Sequence, residues 1–219
     1  MRTIIGMALA LSLVAIGLAG GGAIVRAQAN MAHTHIGHVM DQWRDTPDQQ
    51  GFLPTAIAEA EIAARHAGLA AQSAGNLDRM KLHAGHVIHA VDPTIEMQGP
   101  GLGYGVKRAA AGAAQHIGLA ARYDGASANV KTHAAHVSTS ANNTVTRADE
   151  IVALAQQIQG ASSAAEAAPL SERLNMLAGQ LVPGADANSD GRIGWQEGEG
   201  GLQQANQHMG FMKKGEDLP

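Results

Sequence analysis

A histidine motif recurs at regular intervals along this chain and restricts the folds that the chain can adopt. The sequence His-x-x-His-Val begins at His83, returns 50 residues later at His133, and has an earlier copy at His35. Two single histidines, His66 and His116, lie in a second matched segment and are also 50 residues apart. Repetition of this kind indicates a duplicated structural unit. Eight of the eleven histidines therefore occupy repeated positions: His35, His38, His66, His83, His86, His116, His133 and His136.

The composition between the histidines is typical of helices. Alanine is frequent, and glycine and proline cluster between the alanine-rich stretches, where they end helices. Two full copies and a half-copy of the repeat are too few for an open solenoid. The expected fold is therefore mainly α: an antiparallel helical bundle built from an internal repeat of about 50 residues, with a small C-terminal segment. Helices are predicted at residues 55–73, 77–90, 107–123, 146–160 and 170–181, in addition to the helices that carry the pairs His35–His38 and His133–His136.

The first 29 residues have the pattern of an export signal. Arg2 provides a charged start, residues 4–19 are almost wholly apolar, and Ala27 and Ala29 form a small-x-small cleavage pattern. The alternative is an uncleaved membrane anchor, since residues 3–25 are long enough to cross a bilayer. We therefore expect a periplasmic or secreted protein whose mature form has no membrane span.

Three segments follow from this division of the chain. Residues 1–29 form the signal peptide, residues 30–160 the histidine-rich bundle, and residues 161–219 a C-terminal segment. This last segment is expected to begin with a linker at residues 161–168. The glycine-rich stretch at residues 99–105 lacks a following Lys-Ser/Thr, so it is predicted to be a flexible linker and not a phosphate-binding loop.

Residues 186–197 carry acidic and amide side chains at alternating positions. This stretch resembles the EF-hand calcium-loop family across all twelve of its positions, with the glycine of the sharp turn at Gly191 and an apolar residue at Ile193. The resemblance implies a calcium ion bound by oxygen atoms, with a water at the ninth position because Gly194 has no side chain. The sequence departs from the family pattern at Pro183 and Gly184 before the loop and at Gly198, Gly200 and Gly201 after it, and no second loop is visible, so we expect a weak site that acts as a structural clip. The implied ligands are Asp186, Asn188, Asp190, the backbone carbonyl of Arg192, and Glu197.

The repeated histidines are candidate ligands of a transition metal. Two histidines at i and i+3 are neighbours on a helix surface, and a single histidine of an adjacent helix would complete a set of three. His66 is expected to join His83 and His86, and His116 is expected to join His133 and His136. His35 and His38 would then pair with either set. Three imidazoles with an open position suit zinc, copper or nickel. The remaining histidines, His33, His89 and His208, are predicted to be surface residues.

Two other interpretations of the histidines remain open. Paired histidines can hold haem b, and small residues such as Gly68, Gly85 and Gly118 beside the ligands would let a flat ring approach the backbone. The protein would then be a periplasmic electron carrier. Alternatively, duplication alone preserved the histidines in a structural or partner-binding bundle that calcium clips together.

Several functional classes have little support in the sequence. The chain contains no cysteine, which excludes disulfides, thiolate metal sites and covalently attached c-type haem. No basic stripe with interleaved aromatic residues is present, which argues against nucleic acid. Enzymatic activity is uncertain and is not favoured, because no glutamate at metalloprotease spacing and no nucleophile motif accompany the histidines. The preferred function is metal binding, in storage, buffering or delivery, with the protein partner unknown.

Overall fold

The computed structural model describes residues 31–219, and these residues are mainly helical, as predicted. Helices account for 68% of them, with no strands. The predicted signal peptide and its membrane-anchor alternative lie outside the described residues. The seven α-helices are α1 (residues 31–40), α2 (Phe52–Ala71), α3 (Leu77–Val91), α4 (Val106–Arg122), α5 (Ala128–Gly160), α6 (Ala164–Gly179) and α7 (Leu202–Gly215), with a 3₁₀ turn at Pro47–Gln49.

Four of these helices pack as a bundle. Helix α2 contacts α3 and α4, and α5 contacts the same two helices from the other side. Only residues 72–76 join α2 to α3, and a connection this short makes packed neighbours antiparallel. Helix α6 packs against α2 and α5, and α7 packs mainly against α5. One hydrophobic core, rich in alanine, continues across residue 160 and includes side chains as distant in sequence as Ala32 and Met212.

Local signals set several helix ends. The side chain of Asn76 accepts a hydrogen bond from the backbone N–H of Arg79 and so begins α3. Helix α3 ends before Asp92 and Pro93, because a proline disfavours helical geometry in the residue before it. Ser127 caps α5 in the same way as Asn76 caps α3. These caps set where α3 and α5 begin, two of the three helices that carry paired histidines.

Helix α5 differs from the prediction, because it continues from Ala128 to Gly160 without the expected start near residue 146. The polar residues that suggested a break are used inside the helix. Asn143 is buried, donates to the carbonyl of Gln196 and accepts from the N–H of Gly198. Tertiary hydrogen bonds thus satisfy side chains that would otherwise compete with the helix backbone. The predicted linker at 161–168 is also shorter, since Ser163 caps α6 from Ala164 onward.

The segment before α4 is anchored, although its glycines predict a flexible linker. The buried carboxylate of Glu59 accepts hydrogen bonds from the backbone N–H groups of Leu102, Tyr104 and Gly105, at 3.1, 2.9 and 2.9 Å. A buried carboxylate must be satisfied in this way to avoid a large desolvation cost. These bonds fix where α4 begins and therefore where its histidine lies.

Helix α1 is held against the start of α2 by a close backbone approach at Gly51. A Cβ atom at this position would lie 2.5 Å from the carbonyl carbon of Met40 and 2.6 Å from the carbonyl oxygen of Val39. Only glycine permits this distance between the two chain segments. The approach places the histidine pair of α1 over the bundle.

None of the helices within residues 31–219 combines the length and the apolar character needed to cross a membrane.

Candidate metal centres

Three groups of three histidines could each hold a metal ion. Within residues 31–219, each group brings one nitrogen atom per histidine to within 4.8 Å of the other two. In every group, two histidines at i and i+3 on one helix face a single histidine on another helix. We call this single residue the hub histidine. The groups are centre A (His35, His38, His116), centre B (His66, His83, His86) and centre C (His133, His136, His208).

Centre A joins α1 to α4. The Nδ1 atom of the hub, His116, lies 3.0 Å from Nδ1 of His35 and 3.1 Å from Nδ1 of His38. His116 is buried, and the two histidines of α1 are partly exposed. The three nitrogens therefore meet at the edge of the bundle, where an ion can reach them from solvent.

Centre B joins the two helices of the α2–α3 hairpin. Nδ1 of the hub, His66, lies 3.2 Å from Nδ1 of both His83 and His86. Here His83 is the buried member of the group. His66 lies five residues before the end of α2 and His83 lies six residues after the start of α3, so the short connection between the helices brings them face to face.

Centre C joins α5 to α7. Nδ1 of the hub, His208, lies 3.0 Å from Nδ1 of His133 and 3.3 Å from Nδ1 of His136. All three side chains are partly buried. The centre therefore connects the histidine repeat to the last helix of the chain.

The separations between nitrogens match those of ligands around one small ion. Zinc binds imidazole at about 2.0–2.1 Å, so neighbouring nitrogens of a tetrahedral site are roughly 3.3 Å apart. The six contacts to hub nitrogens span 3.0–3.3 Å. Three ligands would leave the fourth position of such a site open.

Hydrogen bonding alone does not satisfy the hub nitrogens. A neutral imidazole nitrogen carries either one proton or one lone pair, so it can form a single well-directed hydrogen bond. Each hub Nδ1 nevertheless has two Nδ1 neighbours at hydrogen-bonding distance. One cation that accepts a lone pair from each of the three nitrogens would satisfy all of them together. The same arrangement occurs on three different pairs of helices.

The hub histidines are in the protonation state that metal binding requires. Burial, and then repulsion from the neighbouring histidines, lowers the pKa of each hub to about 4, with Arg65 adding to the effect at His66. Burial also lowers the pKa values of His35, His38, His83, His86 and His136. A metal ligand must be neutral imidazole, and these side chains are neutral at pH 7.

Aromatic side chains surround centres A and C. Trp43 lies 4.7 Å from the ring centroid of His116, Phe52 lies 5.1 Å from it, and Tyr123 stacks on His35. At centre C, the ring of Trp195 stacks on His136 with centroids 3.9 Å apart and planes inclined by 22°. The two tryptophans of the chain thus each contact a centre. Among the described residues, centre B has no such aromatic contact, so the three centres are not equivalent.

The sequence predicted one of these groupings in full and another in part, since His35 and His38 were expected to join either set of three and do meet His116. His66 does meet His83 and His86, as expected. The expected set of His116 with His133 and His136 is wrong, because α1 supplies the partners of His116.

The predicted surface positions also need correction. His208 is the hub of centre C and not a surface residue. His89 is buried, and its Nδ1 bonds the carbonyl of Glu96 at 2.8 Å. His33 is partly exposed and pairs with Glu216 at 3.1 Å. A count could have revealed the missing ligand. Three histidine pairs but only two repeated single histidines require one hub from outside the repeat.

The loop at residues 186–197 is exposed and held by its own side chains. Asp186 accepts hydrogen bonds from the backbone N–H groups of Asp190 and Gly191, at 3.1 and 2.9 Å. Gly191 has a φ of +82°, a left-handed conformation that favours glycine. Glu197 is one of the residues that line a groove between α5 and α6. The carboxylates of this loop are not among the convergent ligand groups of residues 31–219.

Comparisons with protein-family models, with curated proteins and with solved structures found no match to this chain.

Proposed function

We propose that this protein binds three transition metal ions, one at each of centres A, B and C. The observation that carries this proposal is that, in each centre, the Nδ1 atoms of two histidines both lie 3.0–3.3 Å from the Nδ1 atom of one hub. Imidazole ligands suit zinc, copper and nickel. The open fourth position favours storage, buffering or delivery, because it leaves a path by which an ion is exchanged.

The same geometry favours an ion over haem. Two axial imidazoles bind a haem iron from opposite faces of a wide ring. In each centre the nitrogens instead point at one another, with no room for a ring between atoms 3.0–3.3 Å apart. A purely structural bundle is the other alternative, and it predicts a protein that purifies without transition metal.

Calcium binding at residues 186–197 is the second part of the proposal. It is supported by the twelve-residue sequence pattern and by the turn at Gly191, where Asp186 already accepts two backbone N–H groups. Glu197 would complete the site by turning from its groove toward the loop. Export, which would place both kinds of site outside the cytoplasm, rests on residues 1–29 and predicts a mature chain that begins at Asn30.

Metal content of single variants tests the first part. The protein, purified without a histidine tag and loaded with Zn²⁺, should contain three ions per chain by elemental analysis. Replacing any one hub, in His66→Ala, His116→Ala or His208→Ala, should lower the count to two. His33→Gln is the matched control, since His33 lies outside the centres, and it should retain three. A hub variant that still holds three ions would refute the assignment.

A substitution at the twelfth loop position tests the second part. Glu197→Gln removes the carboxylate that would bind calcium through two oxygens. Because Glu197 is exposed, the substitution should leave the fold intact. Calorimetry should show calcium affinity reduced by at least tenfold in this variant. Unchanged affinity would mean that residues 186–197 are not the calcium site.

A further inference from the structure

Trp195 belongs both to the loop at residues 186–197 and to the surroundings of centre C. It occupies the tenth position of the loop, and its ring lies flat against the ring of His136 at 3.9 Å. Groups that contact a metal-binding histidine from outside the metal site fix the orientation of its ring and thereby tune the affinity of the site. Trp195 is therefore placed to orient the ring through which His136 presents Nδ1 to His208.

The loop and the helix of centre C are also joined by hydrogen bonds. Arg147 is buried and donates to the carbonyls of Gly198, Glu199 and Gly200, at 2.6, 2.6 and 3.0 Å. Asn143 binds the backbone on both sides of Glu197. The end of the loop is thus fixed to α5, the helix that carries His133 and His136.

Within residues 31–219, the side chains in the first half of the loop have no comparable anchor, although the backbone N–H of Ala185, just before the loop, donates to the carbonyl of Glu199 at 2.9 Å. Asp186, Asn188 and Asp190 are exposed, and the hydrogen bonds of these side chains go to backbone groups within the loop itself. These are the side chains that calcium would bind. An ion held between them and Glu197 would close the loop around Trp195 and restrict its motion.

We propose that Trp195 is a positioning residue for centre C, and that calcium bound at residues 186–197 raises the transition-metal affinity of this centre through it. The inference rests on the proposed function, since it needs both ions. With calcium bound, the loop already holds Trp195 against His136, so the metal ion does not have to order it. Coupling between two sites is reciprocal, and zinc at centre C must raise calcium affinity by the same factor.

Calorimetric titration of the full chain with Ca²⁺, with and without saturating Zn²⁺, tests this coupling. Zinc should tighten calcium binding by roughly 5- to 10-fold, within the usual range for coupled sites. Equal concentrations of Mg²⁺ in place of Zn²⁺ control for ionic strength. Equal calcium affinities with and without zinc would overturn the inference.

Two matched tryptophan substitutions identify the residue responsible. Trp195→Leu should bind both ions but lose the effect of zinc on calcium affinity, whereas Trp195→Phe should keep part of it. Trp43→Leu removes the tryptophan beside centre A and should leave the effect intact. If zinc still raises the calcium affinity of Trp195→Leu by the full factor, the positioning role of Trp195 is wrong, although the two sites would still be coupled.

A fluorescence titration measures the coupling from the opposite direction. In Trp43→Phe, Trp195 is the one remaining tryptophan and reports on centre C. The free Zn²⁺ concentration is fixed by equilibrium dialysis, and the fluorescence of Trp195 is recorded at each concentration. The midpoint of this titration should shift to a roughly 5- to 10-fold lower Zn²⁺ concentration when about 10 mM Mg²⁺ is replaced by about 10 mM Ca²⁺. Coincident titration curves in the two buffers would contradict the proposal.

These measurements separate the failure of the inference from that of the proposed function. Absence of zinc from centre C refutes the proposed function at that centre, and absence of calcium binding refutes its calcium part. Either result also overturns the inference. Binding of both ions with no mutual effect overturns the inference alone.

Discussion

Each hub histidine presents one nitrogen to two others, and its protonation state decides whether the three can bind a metal. Burial and neighbouring imidazoles lower the pKa of His66 to about 4, and burial also lowers the pKa values of His83 and His86. An exposed imidazole, by comparison, titrates near 6.5. Protons therefore compete with metal at centre B only at lower pH than they do in an unfolded chain.

The pH dependence of zinc affinity at centre B follows from this. In a His116→Ala/His208→Ala variant, which leaves only centre B complete, affinity should begin to fall at a lower pH than in an unfolded chain, because the pKa values of His66, His83 and His86 are all lowered. It should then fall steeply toward pH 4, because the folded pKa lies below the unfolded value of about 6.5. A peptide of residues 77–91 is the control and should weaken from about pH 6.5. Parallel curves for protein and peptide would contradict the assigned shift.

The hub of centre C, His208, illustrates the limit of what a sequence pattern can locate. The spacing of 50 residues distinguishes His66 and His116 from the other histidines. The short connection between α2 and α3 was enough to assign His66 to His83 and His86. His208 has no duplicate, and it lies 72 residues beyond His136 in the chain. Its contact with α5 depends on how α7 packs after the loop. No local periodicity encodes that packing. The one sequence signal for a further hub is that three histidine pairs are matched by only two repeated single histidines.

At the element scale, the helices could be predicted where apolar spacing and capping agree, as in α3. The long α5 could not, because Asn143 and Arg147 look like the polar residues of a helix boundary. They are instead buried and bonded to residues 196–200. Their partners lie more than 50 residues away, so tertiary hydrogen bonds decided between a break and a continuous helix.

The packing of α4 against α2 positions centre A, and Gly112 controls it. A Cβ at Gly112 would lie 2.5–2.9 Å from the ring of Phe52, which itself contacts His116. Gly112→Ala should destabilise the protein by roughly 1 kcal/mol, since overpacking of a core outweighs the gain in helix propensity. It should also weaken metal binding at centre A by about tenfold. Chemical denaturation and zinc titration measure the two effects.

Gly118 on the same helix provides the matched control. Among the described residues, and apart from its own helix backbone, the nearest atom to a Cβ there would be the end of the Arg122 side chain, at 3.9 Å. Gly118→Ala should therefore stabilise the protein by about 0.5–1 kcal/mol through helix propensity and leave zinc affinity unchanged. The argument fails if the two variants shift stability in the same direction.

At the scale of the whole molecule, the three centres connect different pairs of helices. Centre A links α1 to α4, centre B links α2 to α3, and centre C links α5 to α7. Ions bound at all three centres would therefore cross-link six helices around a core in which alanine is the most common residue. Small side chains bury little area each, so the contribution of bound metal to stability should be large relative to that of the core.

Thermal unfolding of the loaded protein should show this contribution as the sum of three parts. At free Zn²⁺ 100 times above the dissociation constant, each centre adds about 2.7 kcal/mol, because the ion binds the folded chain in preference to the unfolded one. For a chain of this size, that corresponds to roughly 5–10 °C in Tm per centre. His208→Ala should lose about one third of the total rise, and His33→Gln should lose none. A chelator should reverse the rise in the parent protein. If replacement of all three hubs left the zinc-dependent rise in place, the ions would be stabilising the fold from somewhere other than the three centres.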